Sequence, residues 1–183
     1  MDNKIFVFFV DGFEMVEALT IVDLLRRAAL QVVTVSLKNT DKVTSSHGVE
    51  IKTDTIFDNC DFNNKATYIL PGGPGTSTYL QHNNLLELLK DNYNKGNLIA
   101  AICAAPSILE QIGILHMMTV FPSMKDEITN YTKKAVVVDG NIITGEALGA
   151  SIPFSLAIIK YLRNEKAAND IKEMIVYGND YEL

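Results

Sequence analysis

Cysteine and histidine are scarce in this sequence and long apolar runs are absent, and each shortage closes off a class of protein. Only two cysteines, Cys60 and Cys103, occur in 183 residues, alongside three histidines, His47, His82 and His116. With no export signal to accompany them, two thiols do not make a disulfide framework, and reduced cysteines are expected. The histidines show no zinc-ligand spacing with either cysteine, so no metal site is indicated. The apolar run at the N-terminus, Ile5 to Val10, is cut short by Asp11 and Gly12. That is too short for a signal peptide or a membrane span, and a cytoplasmic protein is expected. Excess positive charge is missing too. A formal net charge of -6 argues against a nucleic-acid partner or an anionic membrane surface, which would need clustered lysine and arginine.

What remains is the profile of a folded soluble protein, 48% hydrophobic and 21% charged, of a length suited to one domain. Ile5 to Val10 reads as a strand buried on both faces, followed by an amphipathic helix from about Met15 to Ala28 and a second strand from Gln31 to Leu37. The polar stretch from Asn39 to Lys52 has room for a short hairpin. Ala66 to Leu70 is a strand that stops in Pro71-Gly72-Gly73-Pro74-Gly75, and a helical pattern runs from Leu80 to Tyr93. Leu98 to Ile102 and Ala104 to Ile112 repeat the strand-helix theme. A hairpin around Asp139-Gly140-Asn141 joins Ala135 to Val138 with Ile142 to Thr144, and Ser151 to Arg163 closes with a helix. Strands of this kind alternating with helices predict an α/β sandwich, a mainly parallel sheet with helices on both faces. Chemistry in such folds gathers at the carboxyl edge of the sheet.

Three segments leave strands at that edge: DGFEMVEA, PGGPG and CAAPS. Cys103 falls where a strand turns abruptly into a helix, the arrangement of a nucleophile elbow, with small neighbours Ala101, Ala104 and Ala105. Free amides at this turn would favour a thiolate and could hold an oxyanion, with Ala104 as one donor and Gly73 as a second. A buried, inert cysteine fits the same residues, and local sequence leaves both readings open. Glu14 and Glu17 suit a helix start simply as acids near the dipole. A carboxylate close to Cys103 would repel its thiolate, so a glutamate useful there has to be kept neutral by burial.

The segments GFEMVEALTIVDLLRRA, ILPGGPG, LIAAICAAPSIL, VFPSMKDEI and VVVDGNIITGEALGAS resemble the ThiJ/PfpI superfamily, and within it the subgroup of the parkinsonism-associated deglycase, from about Lys4 to Leu162. The resemblance implies a three-layer flavodoxin-like, Rossmann-like sandwich, with residues 1–183 forming one ThiJ/PfpI (class I glutamine amidotransferase-like) domain, and a homodimer. It implies a nucleophilic, oxidisable Cys103, a protonated glutamate at Glu17, oxyanion-binding amides at Gly73 and Ala104, and a pocket position at His47, which otherwise reads as a loop residue. No cofactor is implied. The implied partner is a small electrophilic aldehyde or a glycated substrate, met by a glyoxalase or deglycase acting on α-oxoaldehydes such as methylglyoxal. The alternative is a non-enzymatic sensor of oxidative stress or chaperone, whose Cys103 is converted to sulfinate.

Two departures narrow this. Many family members carry a histidine where this chain has Phe121 before Pro122, which removes the partner a cysteine hydrolase needs. The usual S-R/Q-G-P-G-T segment reads Gly145-Glu146-Ala147-Leu148-Gly149-Ala150, without its hydroxyls and cation. Cys60, His82, His116, Tyr177 and Tyr181 read as bystanders.

Overall fold

The computed structural model describes residues 4–62 and 65–178. Strand β1 (Lys4–Phe9) explains the architecture at once, because its side chains alternate between two separate cores. Phe6 and Phe8 join one apolar cluster, while Ile5, Val7 and Phe9 join the other. Strand β6 (Ala66–Leu70) does the same, with Tyr68 and Leu70 on one face and Ile69 on the other. So does β7 (Ile99–Ile102), through Ile99 and Ala101 against Ala100 and Ile102. Runs apolar at every position are what a parallel sheet covered on both faces requires.

Parallel pairing extends from β1 to β2 (Val32–Ser36) and on to β5 (Thr55–Ile56). On the other side β1 pairs with β6, then β7, then β11 (Ile142–Gly145). The antiparallel edge strand β10 (Val136–Asp139) folds back through the two-residue turn Gly140-Asn141 to complete seven strands. Helices α2 (Asn83–Asn94) and α3 (Pro106–Gln111) bury Leu85, Leu89, Ile108 and Leu109 against one face. Helices α1 (Met15–Arg27), α4 (Ser151–Leu162) and α5 (Glu165–Met174) cover the other, with Ile21, Leu25, Phe154, Ile158 and Ile171 in its core. The three-layer sandwich expected from the pattern is the fold observed. No helix among the described residues is long and apolar enough to cross a membrane.

The polar stretch after β2 holds a short antiparallel hairpin, β3 (Lys42–Thr44) with β4 (Glu50–Lys52). A small parallel pair, β8 (Met117–Met118) with β9 (Asn130–Tyr131), lies outside the main sheet. Three boundaries differ from the sequence pattern. The helix read from Leu80 begins only at Asn83, because Pro74–Gln81 forms a 3₁₀ segment first. The helix read from Ala104 begins at Pro106, since residues 103–105 are used up in the turn. The chain also does not close at Arg163. Asn164 caps α5 by accepting from the Ala167 amide at 2.9 Å, which starts a further helix.

Candidate active site

The strand order places β1 between β6 and β2, so the chain leaves β1 to one side and later returns on the other. A crevice therefore opens at the carboxyl ends of β1 and β6, where such sheets bind ligands. Both strand ends are tied together there. The buried Tyr79 hydroxyl reaches the carbonyls of Phe8 and Pro71, at 3.0 and 3.1 Å. The Glu14 amide donates to the Gly72 carbonyl at 2.8 Å, and the Gly75 amide to the Gly12 carbonyl at 3.0 Å.

Helix α1 starts in this laced junction. Glu14 is its N-cap, and one carboxylate oxygen accepts from the Val16 amide at 3.3 Å. Glu17 has the opposite fate. It stands one turn before Ile21 on the buried face of α1 and is 0% exposed. Its Oε2 accepts from the Gly72 amide at 3.0 Å, its carboxyl also meets the Cys103 thiol, and Oε1 has no further partner among the described residues. Burial pushes the carboxyl up to about 7, against the opposing pull of its contacts with Cys103 and the Gly72 amide.

Cys103 follows β7 directly with φ of +63°, a left-handed conformation rare outside glycine. Such a position costs on the order of 1–3 kcal/mol and persists only where neighbours enforce it. Here both of its backbone groups are held. Its amide donates to the Gly145 carbonyl at 2.9 Å, and its carbonyl accepts from the Phe121 amide at 2.8 Å. The elbow read from CAAPS is therefore present, and it turns the thiol toward the Glu17 carboxyl and the amides of Gly73 and Ala104. Those amides do favour the thiolate, as expected, but they do not win. Burial, followed by the charge and hydrogen bond of an ionised Glu17, pushes the thiol up to about 12. The pair thus exposes a thiolate only while Glu17 keeps a proton.

Gly72 is the residue that reading PGGPG alone misses. A Cβ there would lie 2.5 Å from the Cys103 Cβ, 2.7 Å from Glu17 Oε2 and 2.8 Å from the Ile102 carbonyl. Only glycine lets the thiol and the carboxyl meet across this backbone. Gly72→Ala is expected to lower stability by about 1–3 kcal/mol through overpacking and to remove Cys103 reactivity. Urea unfolding paired with thiol titration measures both. Gly73, beside it, has φ of +112°, and a Cβ there would meet the Glu14 amide nitrogen at 2.5 Å.

Above the thiol lies an open cleft of about 460 Å³, walled by Pro74, Phe121, Ala147 and Leu148, with Glu14 on its lining. Of the residues singled out in the sequence, Cys103, Glu17, Gly73 and Ala104 come together here. His47 does not line this cleft. It is exposed on the β3–β4 loop, its Nδ1 3.0 Å from the Ser46 hydroxyl, which in turn donates to Glu14 Oε2 at 3.4 Å. Among the described residues no histidine or other cation lines the cleft, and no group of three or more His, Cys, Asp or Glu is placed to hold a metal ion.

The remaining candidates lie elsewhere. Cys60 donates to the Ile56 carbonyl at 3.4 Å, and burial pushes its thiol up to about 11. His82 sits at the joint between the 3₁₀ segment and α2. His116 is held between Asp139 Oδ2 and the Tyr93 hydroxyl, each at 3.0 Å, beside the β10–β11 turn and far along the sheet from Cys103. Tyr177 is exposed after α5, and Tyr181 lies outside the described residues.

The chain is similar to several known proteins. The chain is 33% identical to the protein dj-1beta of Drosophila melanogaster, over 98% of this chain and 100% of that one. It is 32% identical to the glutathione-independent glyoxalase DJR-1.2 of Caenorhabditis elegans, over 86% and 87% of the two chains. It spans 41% of the length of the DJ-1 homolog B of Arabidopsis thaliana, at 34% identity over 94% of this chain. Among solved structures, oxidized DJ-1 of Toxoplasma gondii superposes with a TM-score of 0.92 at 30% identity, covering 96% of this chain and 99% of that one. With a strained cysteine elbow facing a buried glutamate, and with residues 3–161 matching the family model, the chain belongs to the DJ-1/PfpI family.

Proposed function

We propose that the chain is a cofactor-independent enzyme that converts α-oxoaldehydes such as methylglyoxal to 2-hydroxy acids through the Cys103 thiolate. The observation that carries this reading is the pairing of Cys103 with a buried Glu17 whose carboxyl is pushed up to about 7. One proton shared by these two groups serves both halves of the reaction. Sulfur adds to the aldehyde carbon, the carbonyl π electrons move to oxygen, and the Gly73 and Ala104 amides stabilise that oxyanion before Glu17 protonates it. Glu17, now ionised, removes the proton from the former aldehyde carbon. The resulting enediol is reprotonated at the neighbouring carbon, so one carbon is oxidised as the other is reduced. Water then cleaves the thioester, its oxygen enters the acid, and the thiol is restored. The name of the Caenorhabditis elegans relative, a glutathione-independent glyoxalase, supports the same chemistry.

Purified protein incubated with methylglyoxal, without added thiol or metal, is expected to produce lactate visible by proton NMR. No lactate above the uncatalysed rate overturns the proposal. The homodimer implied by the family has support in Val16 and Leu19, apolar residues three apart that α1 leaves exposed. Light scattering should then give twice the chain mass.

A second reading draws on the same donors. Amides of Gly73 and Ala104 together with a protonated Glu17 suit a cysteine sulfinate as well as an alkoxide, and the Toxoplasma gondii structure is an oxidized form. Selective oxidation of Cys103 by mild peroxide in a protein that forms no lactate favours this reading. A cysteine hydrolase has less support, since Phe121 occupies the wall where a histidine partner would stand.

A further inference from the structure

The cleft over Cys103 is far larger than a three-carbon aldehyde fills, about 460 Å³, and its walls are of one chemical kind. Phe121 and Leu148 stand at its sides with 42% and 44% of their surface exposed. Phe121 is the N-cap of the 3₁₀ segment Pro122–Glu127, and Leu148 opens a separate one, Leu148–Ala150. Neither segment is loosely held. The Phe121 amide donates to the Cys103 carbonyl at 2.8 Å, and the Ser151 hydroxyl to the Leu148 carbonyl at 2.6 Å. Pro74 and Ala147 continue the apolar surface between them.

Polar side chains are few on this lining. Besides Cys103 and Glu17, only Glu14 brings a charge to the lining, and no cation balances it among the described residues. An anionic substrate would therefore meet one or two carboxylates without a counter-charge. A polar, neutral substituent lying along Phe121, Ala147 and Leu148 would lose hydration without gaining a side-chain hydrogen bond from them. An apolar substituent gains what both lose, because it covers Phe121 and Leu148 and removes its own surface from water.

We infer that the site selects neutral α-oxoaldehydes bearing a bulky apolar substituent, aryl or branched alkyl, and that Phe121 and Leu148 set this preference. The inference rests on the α-oxoaldehyde chemistry proposed above, and the reacting dicarbonyl is unchanged: phenylglyoxal and water give mandelate by the same steps. Discrimination by apolar groups in a pocket reaches about tenfold to two-hundredfold.

The test compares kcat/KM for phenylglyoxal with that for methylglyoxal. Wild type is expected to favour phenylglyoxal by about tenfold or more. Phe121→Ser and Leu148→Ser are each expected to lower that ratio, and Phe121→Leu to keep most of it. Both side chains are partly exposed, so circular dichroism should show the variants folded. A wild-type ratio near or below one, or a ratio untouched by both serine variants, overturns the inference while leaving the enzyme reading in place. A second measurement needs no turnover: the rate of Cys103 alkylation by N-benzylmaleimide against a carboxyalkyl maleimide, each normalised to free cysteine. Bias toward the benzyl reagent without turnover of either aldehyde refutes the enzyme reading and retains the apolar selectivity. Absence of bias overturns the selectivity itself.

Discussion

A Cys103→Ser protein is expected to form no lactate from methylglyoxal, a loss of about a thousandfold or more in kcat, as is usual when a covalent nucleophile is removed. An alcohol in the same place is a far weaker nucleophile than a thiol, and the base beside it is Glu17. The substitution removes little else. Serine is close to cysteine in size, and the hydrogen bonds that hold the elbow run through the backbone to Gly145 and Phe121. Melting temperatures of the two proteins are therefore expected to agree within a few degrees. Residual lactate formation at more than a few per cent of wild type would mean that Cys103 is not the nucleophile. Cys60 is half-buried, donates to the Ile56 carbonyl and lies outside the cleft, so it offers no substitute nucleophile.

Glu17→Gln is expected to reduce kcat by about a hundredfold to ten-thousandfold, the usual range for a lost general acid or base. Glutamine keeps the shape and can still accept from the Gly72 amide, but it cannot carry a proton between substrate atoms. Alkylation of Cys103 separates this role from a structural one. In wild type, loss of the first proton from the pair near 7 leaves one proton shared by carboxyl and thiol, so alkylation should rise through about pH 7 and then level off. In Glu17→Gln the thiol titrates alone, and the rise should move to higher pH. An unmoved profile would show that the two groups do not share a proton.

Stability gives an independent check with a definite sign. The folded carboxyl of Glu17 is raised from 4.5 to about 7, so the native state holds the proton more tightly than the unfolded chain does. Its contribution is fully present below about pH 4.5 and is lost as pH rises through about 7. The size is roughly 3 kcal/mol, since each tenfold gain in proton affinity is worth about 1.4 kcal/mol. Urea unfolding of wild type should weaken across this window, and Glu17→Gln should show a flatter dependence. The second proton of the pair leaves only near 12, so across this window the pair loses one proton.

The central sheet was legible because a buried parallel strand leaves a plain mark. Ile5 to Val10, Ala66 to Leu70 and Leu98 to Ile102 are apolar at almost every position, and β1, β6 and β7 match them within a residue. Helix α5 left a fainter mark, since only Ala168 and Ile171 are buried and its other faces are charged. The start of α2 was hidden by leucines that continue a helical rhythm back to Leu80, although Pro74 opens a tighter 3₁₀ segment that carries Tyr79 inward. At the site, the elbow could be read because a strand, small residues and a proline lie consecutively around Cys103. The need for Gly72 could not, because what forbids a side chain there is Cys103 and Glu17, distant in sequence and near only after folding. The same holds for the thiol: local amides were visible in CAAPS, but the opposing charge of Glu17 is a tertiary effect.

The cleft's floor and walls are made of different materials. Main-chain hydrogen bonds among Gly12, Glu14, Gly72 and Gly75 fix the floor, whereas exposed side chains at the starts of short 3₁₀ segments form the walls. Amino-acid replacement can rewrite side chains one at a time without disturbing a backbone truss. A lineage, or an engineer, can thus exchange one recognition surface for another while the reacting atoms stay where they are. In that sense Phe121 and Leu148 are interchangeable fittings on a permanent frame.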